Sequence, residues 1–404
     1  MITGSAAHID TAKPINSSIS VGINLLWLEP GVVGGSEEYT IRLLRALDSC
    51  RPRTMNVRVY GSERLFTTYR DLSDRFEAVV MPTLPRSRAA RVATEATWLR
   101  SVTSEDTLVH HAGGVVPPQS GGTNLLTIHD LQPLDMPENF SRVKRAWMAT
   151  MLPRSVRRAT HIITPSVFSA ERLRSVLSVP APKITVVSQG RENQRPGIMH
   201  PDIDRRLQRR YGRYLLYPAI TYPHKRHIDL INALEKLRWR YPDLSLVFTG
   251  RPGPLTDELE ALAARLGLED RIHHTGRISE IALDALYRSA AATVIPSEYE
   301  GFGNPALEAM VRGCPVVAAN TASLPEVLGS AGRFFTVRDP QDLAASIVEL
   351  LEDRQVGARM RQLGLEQAKR YSWQASGELL AHVYERLACG ASSMTMSAAN
   401  SASR

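Results

Sequence analysis

The sequence predicts an α/β protein built from two doubly wound domains that face each other across a cleft. Three observations carry this expectation. Short apolar, β-branched runs alternate with amphipathic helical runs in both halves of the chain. The 404 residues suffice for two domains of ordinary size. Glycine-rich or polar turns follow several strands, at the carboxyl ends where open α/β sheets bind ligands.

Composition narrows the class. Hydrophobic residues make up 43% of the chain, as in ordinary globular proteins. No run approaches the roughly 18 apolar residues of a membrane-spanning helix. Residues 1–20 are polar and small and read as a disordered leader. Cys50, Cys314 and Cys389 are odd in number and widely spaced, which suits neither a disulfide framework nor a metal site and points to a reducing cytoplasm. The net charge of +8 fits an anionic partner: a nucleotide-sugar, an acidic membrane surface or nucleic acid. Nucleic acid is disfavoured, because no helix-turn-helix, zinc or RNA-binding signature appears and aromatics are only 6%.

The first domain is expected over residues 21–192. Val21 to Leu28 reads as a buried strand, followed by Pro30-Gly31, Gly34-Gly35 and Ser36 as a helix cap. The helix from Glu37 to Leu47 places Ile41, Leu44 and Leu47 on one face. Strand, glycine-rich turn and helix form a phosphate-cradling arrangement, although this one lacks the dinucleotide fingerprint and the Walker lysine. Further strands are expected at Asn56 to Tyr60, Ala78 to Met81, Thr107 to His110, Asn124 to Ile128, His161 to Thr164 and Lys183 to Val187. His110 and His111 are neighbours on a strand and point to opposite faces, so they make a poor chelate and read as structural. His129 and Asp130 stand at a strand end, where a site forms in such sheets. Ser141 to Arg158 is basic and partly apolar, which suits either a solvated helix face or docking on an anionic membrane. Ser166 reads as a helix cap.

Residues 193–213 read as a polar linker leading into a basic helix. They carry Asp202-Ile203-Asp204, which precedes arginines and suits no metal. The second domain is expected over residues 214–370. Its first strand, Tyr214 to Tyr217, leads to Lys225 at a loop-to-helix entry, where a lysine neutralises a diphosphate. Strands follow at Leu244 to Thr249 and Ile272 to Thr275, the latter leading into Gly276-Arg277-Ile278. Residues 371–389 hold a last helix, and 390–404 read as a disordered low-complexity tail.

The block from Ala292 to Asn320 organises the rest. It reads as strand, loop, helix, strand, with Asn304 as cap, Pro305 at the first helical position and Gly313 as the left-handed stop. Glu300 sits at the strand end and Glu308 in the first turns of the helix, so both carboxylates can face one crevice. Between them, Gly301, Phe302, Gly303 and Asn304 offer backbone N–H groups. The residues by themselves point to a polyhydroxyl or phosphate ligand at this strand end.

The string Pro296-Ser297-x-x-Glu300-Gly301-Phe302-Gly303-x-Pro305-x-x-Glu308-Ala309-Met310 closely resembles the signature of retaining glycosyltransferases of family 4, which have the two-domain GT-B fold. The resemblance spans about Val21 to Leu387. It implies transfer of a hexose from a nucleoside diphosphate donor to an acceptor hydroxyl, with no metal or other cofactor. It implies that Lys225 and the backbone of Gly34 and Gly35 hold the diphosphate, and that Glu308 accepts from the ribose. It further implies that Glu300 and the Phe302 to Asn304 backbone hold the sugar, and that His129, within TIHDLQPLDMPENF, contacts it. Arg277 and Ile278 are implied near the base. The family commonly has an arginine where Ala219 stands, so either Arg226, Arg251 or Arg277 is expected to supply that charge or the diphosphate is bound more weakly. The segment YPHKRH is similar to that of bacterial mannosyltransferases, which makes GDP-mannose the first expected donor and a UDP-sugar such as UDP-glucose the alternative. A saccharide or lipid-linked saccharide is the expected acceptor, and the place is the cytoplasm, with peripheral contact at the inner membrane face. A nucleotide-sugar-binding protein without transferase activity is the competing class.

Overall fold

The computed structural model describes residues 18–82, 88–118, 120–191 and 201–402. Most of the expected leader, residues 193–200 of the expected linker and the last two residues lie outside the described residues. Seven parallel strands form the first sheet: β1 (Ile19–Asn24), β2 (Met55–Gly61), β3 (Glu77–Val80), β4 (Leu108–His111), β5 (Thr123–Thr127), β6 (His161–Thr164) and β7 (Ile184–Val186). Their spatial order is β3-β2-β1-β4-β5-β6-β7. Six parallel strands form the second: β8 (Arg213–Pro218), β9 (Leu244–Thr249), β10 (Ile272–His274), β11 (Ala292–Ile295), β12 (Val316–Ala319) and β13 (Gly332–Phe335), in the order β10-β9-β8-β11-β12-β13. Parallel sheets need both faces covered, and the central strands are accordingly apolar and buried along their length. In each sheet the order reverses once, between β1 and β4 and between β8 and β11. These switch points open the crevices at the strand carboxyl ends.

Several boundaries differ from those read in the sequence. β1 starts at Ile19, inside the expected leader, because its N–H joins the Thr54 carbonyl and it pairs with Met55. It ends at Asn24, and Leu25 to Leu28 turn away while staying buried. β13 has no sequence signature, since Gly332 and Arg333 are poor strand residues. It forms as an edge strand because register with β12 is available only on that side.

The last helix, Trp373–Ala402, returns to the first domain. Leu380, Val383 and Tyr384 join the core under β1 and β4. The Tyr384 hydroxyl meets His110 Nδ1 at 2.7 Å, and the Ser376 hydroxyl donates to the Ser188 carbonyl at 2.7 Å. His110 Nε2 meets the Thr127 hydroxyl at 2.7 Å, and His111 Nε2 lies 3.0 Å from Asn124 Oδ1. Burial pushes both histidines down, to about 3 and about 4, so they are neutral pins of the sheet. The helix continues to Ala402, where the sequence reading gives an unstructured tail. That stretch is rich in alanine and free of proline, so a helix already nucleated on the first domain propagates through it.

Gly377 is where this helix touches the helix Gly35–Cys50 most closely. A Cβ there would lie 2.6 Å from the carbonyl carbon of Ala46, a backbone atom that cannot swing aside. Gly377→Ala is therefore expected to destabilise the protein by about 1–3 kcal/mol despite the better helix propensity of alanine. Urea unfolding followed by circular dichroism measures it.

Candidate active site

The glycine-rich loop after β1 ends at Gly34, whose φ of +83° suits glycine. Gly34 stands at the cap position of the helix Gly35–Cys50, so Ser36 is not the cap expected from the sequence but lies within the first turn. A Cβ on Gly34 or Gly35 would meet nothing within 4 Å, so this backbone faces open space. Glu37 shapes the loop: its carboxylate accepts from the Gly31 N–H at 2.9 and 3.0 Å and from the Tyr69 hydroxyl at 2.5 Å. Two arginines of the second domain reach the same loop. Arg251 Nη2 donates to the Val32 carbonyl at 3.3 Å, and Arg277 Nη1 lies 3.6 Å from where a Gly31 Cβ would stand.

The second switch point brings Lys225 and Glu300 together. A single 3₁₀ turn, Pro223–Lys225, presents the lysine, and Lys225 Nζ donates to Glu300 Oε1 at 2.6 Å. The Ser297 hydroxyl donates to the same oxygen at 2.7 Å, and the Tyr217 hydroxyl lies 2.7 Å from Ser297 Oγ. Arg226 is engaged elsewhere, with both nitrogens on Asp229 at 2.7 and 2.9 Å and a contact to Glu298 at 3.3 Å. It is thus not a free replacement for the arginine missing at Ala219. Ala219 itself packs its backbone against Gly250, whose φ is +128°.

Gly303, with φ +93°, caps the helix Asn304–Val311. Asn304 is therefore its first residue and Pro305 its second, one place later than the sequence reading. A glycine takes the cap because the chain must turn into the left-handed region there, which Asn304 then need not do. Gly313 follows with φ +64°, as expected. Phe302 is buried and packs edge-on against Tyr371, so its ring anchors the loop while its backbone stays near the crevice. Ile278 packs against the core of the second domain.

Glu308 is half-buried and accepts from the Tyr287 hydroxyl at 2.8 Å. It lines a cleft of about 40 Å³ together with Asn304, Glu38 and Arg42. Burial, and then the charge of Glu38 across the cleft, pushes its carboxyl up to about 7. His129 stands opposite, on the first domain. Its Nε2 donates to the Ala112 carbonyl at 3.2 Å, which leaves Nδ1 as an acceptor. Burial lowers it to about 4, so the ring is neutral at pH 7, held between the edges of Tyr39 and Trp27. A Cβ on Gly301 would lie 2.8 Å from the His129 carbonyl, so His129 and the Glu300 loop meet in one place. Asp130 Oδ1 accepts from the Gln132 N–H at 3.0 Å and orders the loop.

Glu37, Glu38 and Tyr217 complete this site without a signal of their own in the sequence, while Ser297 belongs to the quoted motif. Among the described residues there is no group of three or more His, Cys, Asp or Glu that could hold a metal ion, and no helix long and apolar enough to cross a membrane.

Comparison with known proteins agrees with this fold. Residues 203–367 match the family described as glycosyl transferases group 1, and residues 33–195 match glycosyltransferase family 4. The O-antigen chain mannosyltransferase B of Escherichia coli is 31% identical over 274 residues, which is 66% of this chain and 71% of that protein. The chain belongs to the group 1 and family 4 glycosyltransferases. The MMP alpha-(1->4)-mannosyltransferase of Mycolicibacterium hassiacum is 32% identical over 60% of this chain and 58% of its own length. Among solved structures, Anabaena HepE in complex with UDP and glucose superposes with a TM-score of 0.72 at 21% identity, covering 91% of this chain and all of that one. A glycosyltransferase from Rickettsia africae gives a TM-score of 0.70 at 16% identity, covering 92% and 99%. The fold is thus GT-B, two Rossmann-like domains across a cleft, and this glycosyltransferase moves a sugar from a nucleoside diphosphate sugar.

The raised carboxyl of Glu308 has a sign that can be checked. A carboxylate whose folded value exceeds its unfolded one destabilises the fold as pH rises from about 4.5 through about 7. Glu308→Gln is therefore expected to raise Tm at pH 8 and to leave it nearly unchanged at pH 5, read by differential scanning calorimetry.

Proposed function

We propose that the chain transfers a hexose from a nucleoside diphosphate donor to a hydroxyl of a saccharide acceptor, with retention of the α configuration. The observation that carries this reading is the 2.6 Å contact of Lys225 with Glu300, whose neighbour Gly301 lies against His129 of the other domain. Lys225, the Gly34 and Gly35 N–H groups, Arg251 and Arg277 are the groups for charge developing on the leaving diphosphate. Arg251 and Arg277 are the cations we assign to the role left open at Ala219. Glu308 accepts from the ribose, and Glu300 with the Phe302 to Asn304 backbone holds sugar hydroxyls. Neutral His129 offers Nδ1 to the sugar from the other side. Glu300 is already held by Lys225 and Ser297, so it suits hydroxyl binding better than covalent attack. Front-face attack, with the leaving phosphate taking the acceptor proton, fits this arrangement. An acceptor carried on a lipid would meet the basic helix Arg142–Arg158, where Val143 is exposed.

Two donors have support. The relatives named as mannosyltransferases favour a mannosyl donor. HepE holds UDP and glucose, which keeps a UDP-sugar such as UDP-glucose as the second candidate. The donor class is therefore a nucleoside diphosphate hexose, and a panel separates the two. GDP-mannose, UDP-glucose, UDP-galactose and UDP-N-acetylglucosamine are offered to the purified protein, with nucleotide release and calorimetry as readouts. One donor is expected to be bound and slowly hydrolysed. Lys225→Ala is expected to lower turnover about 100-fold or more. Binding without turnover, even with a lipid-linked saccharide present, would favour a sensor, and binding of none would overturn the site.

A further inference from the structure

We infer that Ser166 and Ser169 are positioning residues for the Glu300 loop, acting from the opposite domain, and that Glu326 fastens their helix in place. The inference rests on the reading that Glu300 holds the donor sugar.

Both serines sit at the head of the helix Val167–Leu177 in the first domain and are fully buried. The Ser166 hydroxyl donates to the Gly301 carbonyl at 2.5 Å, the peptide group next to Glu300. Its oxygen also accepts from the Ser169 N–H at 3.1 Å, so the capping bond fixes the rotamer that aims the proton at Gly301. Ser169 Oγ lies 3.2 Å from the Gly301 carbonyl and 3.3 Å from the His129 carbonyl. Two carbonyl oxygens from opposite domains thus face one another in a buried place. Bare carbonyl dipoles so placed repel, and a hydroxyl between them removes the conflict.

Glu326 completes the clamp from the second domain. Its two oxygens accept from the N–H groups of Val167 at 2.8 Å and Phe168 at 2.9 Å. These are helix-start donors that the Ser166 cap leaves unsatisfied, and a carboxylate suits the helix N-terminus. Ser323, on the same turn as Glu326, donates to the Glu300 carbonyl at 2.9 Å. Tyr299 adds a third tie: its hydroxyl accepts from the Leu131 N–H at 3.2 Å and donates to Asp135 at 2.8 Å. The backbone around Glu300 is therefore held from its own domain by Ser323 and from the other domain by Ser166. The donor can reach the second domain first, but the Glu300 loop takes its working shape only with the helix Val167–Leu177 docked. The clamp acts on turnover more than on donor binding.

The test uses the full chain with Ser166→Ala, Ser169→Ala, Ser169→Thr and Glu326→Gln. Turnover and KM are measured with the donor that the panel selects, and the radius of gyration is measured by small-angle X-ray scattering. Ser166→Ala and Glu326→Gln are expected to lower kcat about tenfold or more, the effect of one lost buried or charge-assisted bond. KM for the donor changes less than kcat, since Lys225, Arg277 and Glu308 of the second domain still hold the donor. Ser169→Thr keeps the hydroxyl and retains the turnover that Ser169→Ala loses. Glu326→Gln enlarges the radius of gyration. Unchanged kcat and radius in Ser166→Ala and Glu326→Gln would overturn the inference. So would an equal loss in all four variants, threonine included. If the wild type turns over none of the donors, the functional reading fails by itself, and the scattering of Glu326→Gln against wild type still decides the clamp.

Discussion

The contact between Lys225 and Glu300 is the interaction on which the candidate site depends. The two residues are 75 positions apart, and only the adjacency of β8 and β11 at a switch point brings them within 2.6 Å. An ammonium and a carboxylate at that distance, half out of water, hold each other far more firmly than an exposed pair would. Ser297 and Tyr217 extend the contact into a short polar chain that fixes the carboxylate rotamer. The strand ends, the 3₁₀ turn and the glycine cap of the following helix all serve this geometry.

Around that pair the titratable groups fall into two kinds. His110 and His111 are buried, His129 is half-buried, and all three have hydrogen-bond partners and are neutral, so they contribute shape and acceptors rather than charge. Glu308 is half-buried across the cleft from Glu38 and carries its charge at a cost to the fold. The stability of the fold comes from elsewhere, from the two sheet cores and from the last helix, which closes the first domain through Tyr384 and Ser376.

Much of this was legible in the sequence, and the failures have definite causes. Glu300, Glu308, Lys225 and His129 each follow a strand, and the strand-end rule with the long Pro296 to Met310 block singles them out. The alternation of apolar runs gave the strands of both sheets except β13, whose Gly332 and Arg333 fit only because an edge has one neighbour to satisfy. The caps misled by one or two positions. Ser36 and Asn304 are good caps by type, but Gly34 and Gly303 precede them, and the backbone needed a positive φ more than a side-chain acceptor. Arg226 looked available as a cation until Asp229 and Glu298 were seen to hold it.

The sequence by itself determined the two-domain α/β class and the family, and it singled out candidate residues for the cleft, because these depend on local periodicity and on a motif contiguous in the chain. Tertiary structure alone decided which groups work together. Glu326 meets Val167 across 159 positions, Ser166 meets Gly301 across 135, and Arg251 meets Val32 across 219. A hydrogen bond leaves no periodic trace in either partner, so contacts between domains become visible only when the two crevices face each other.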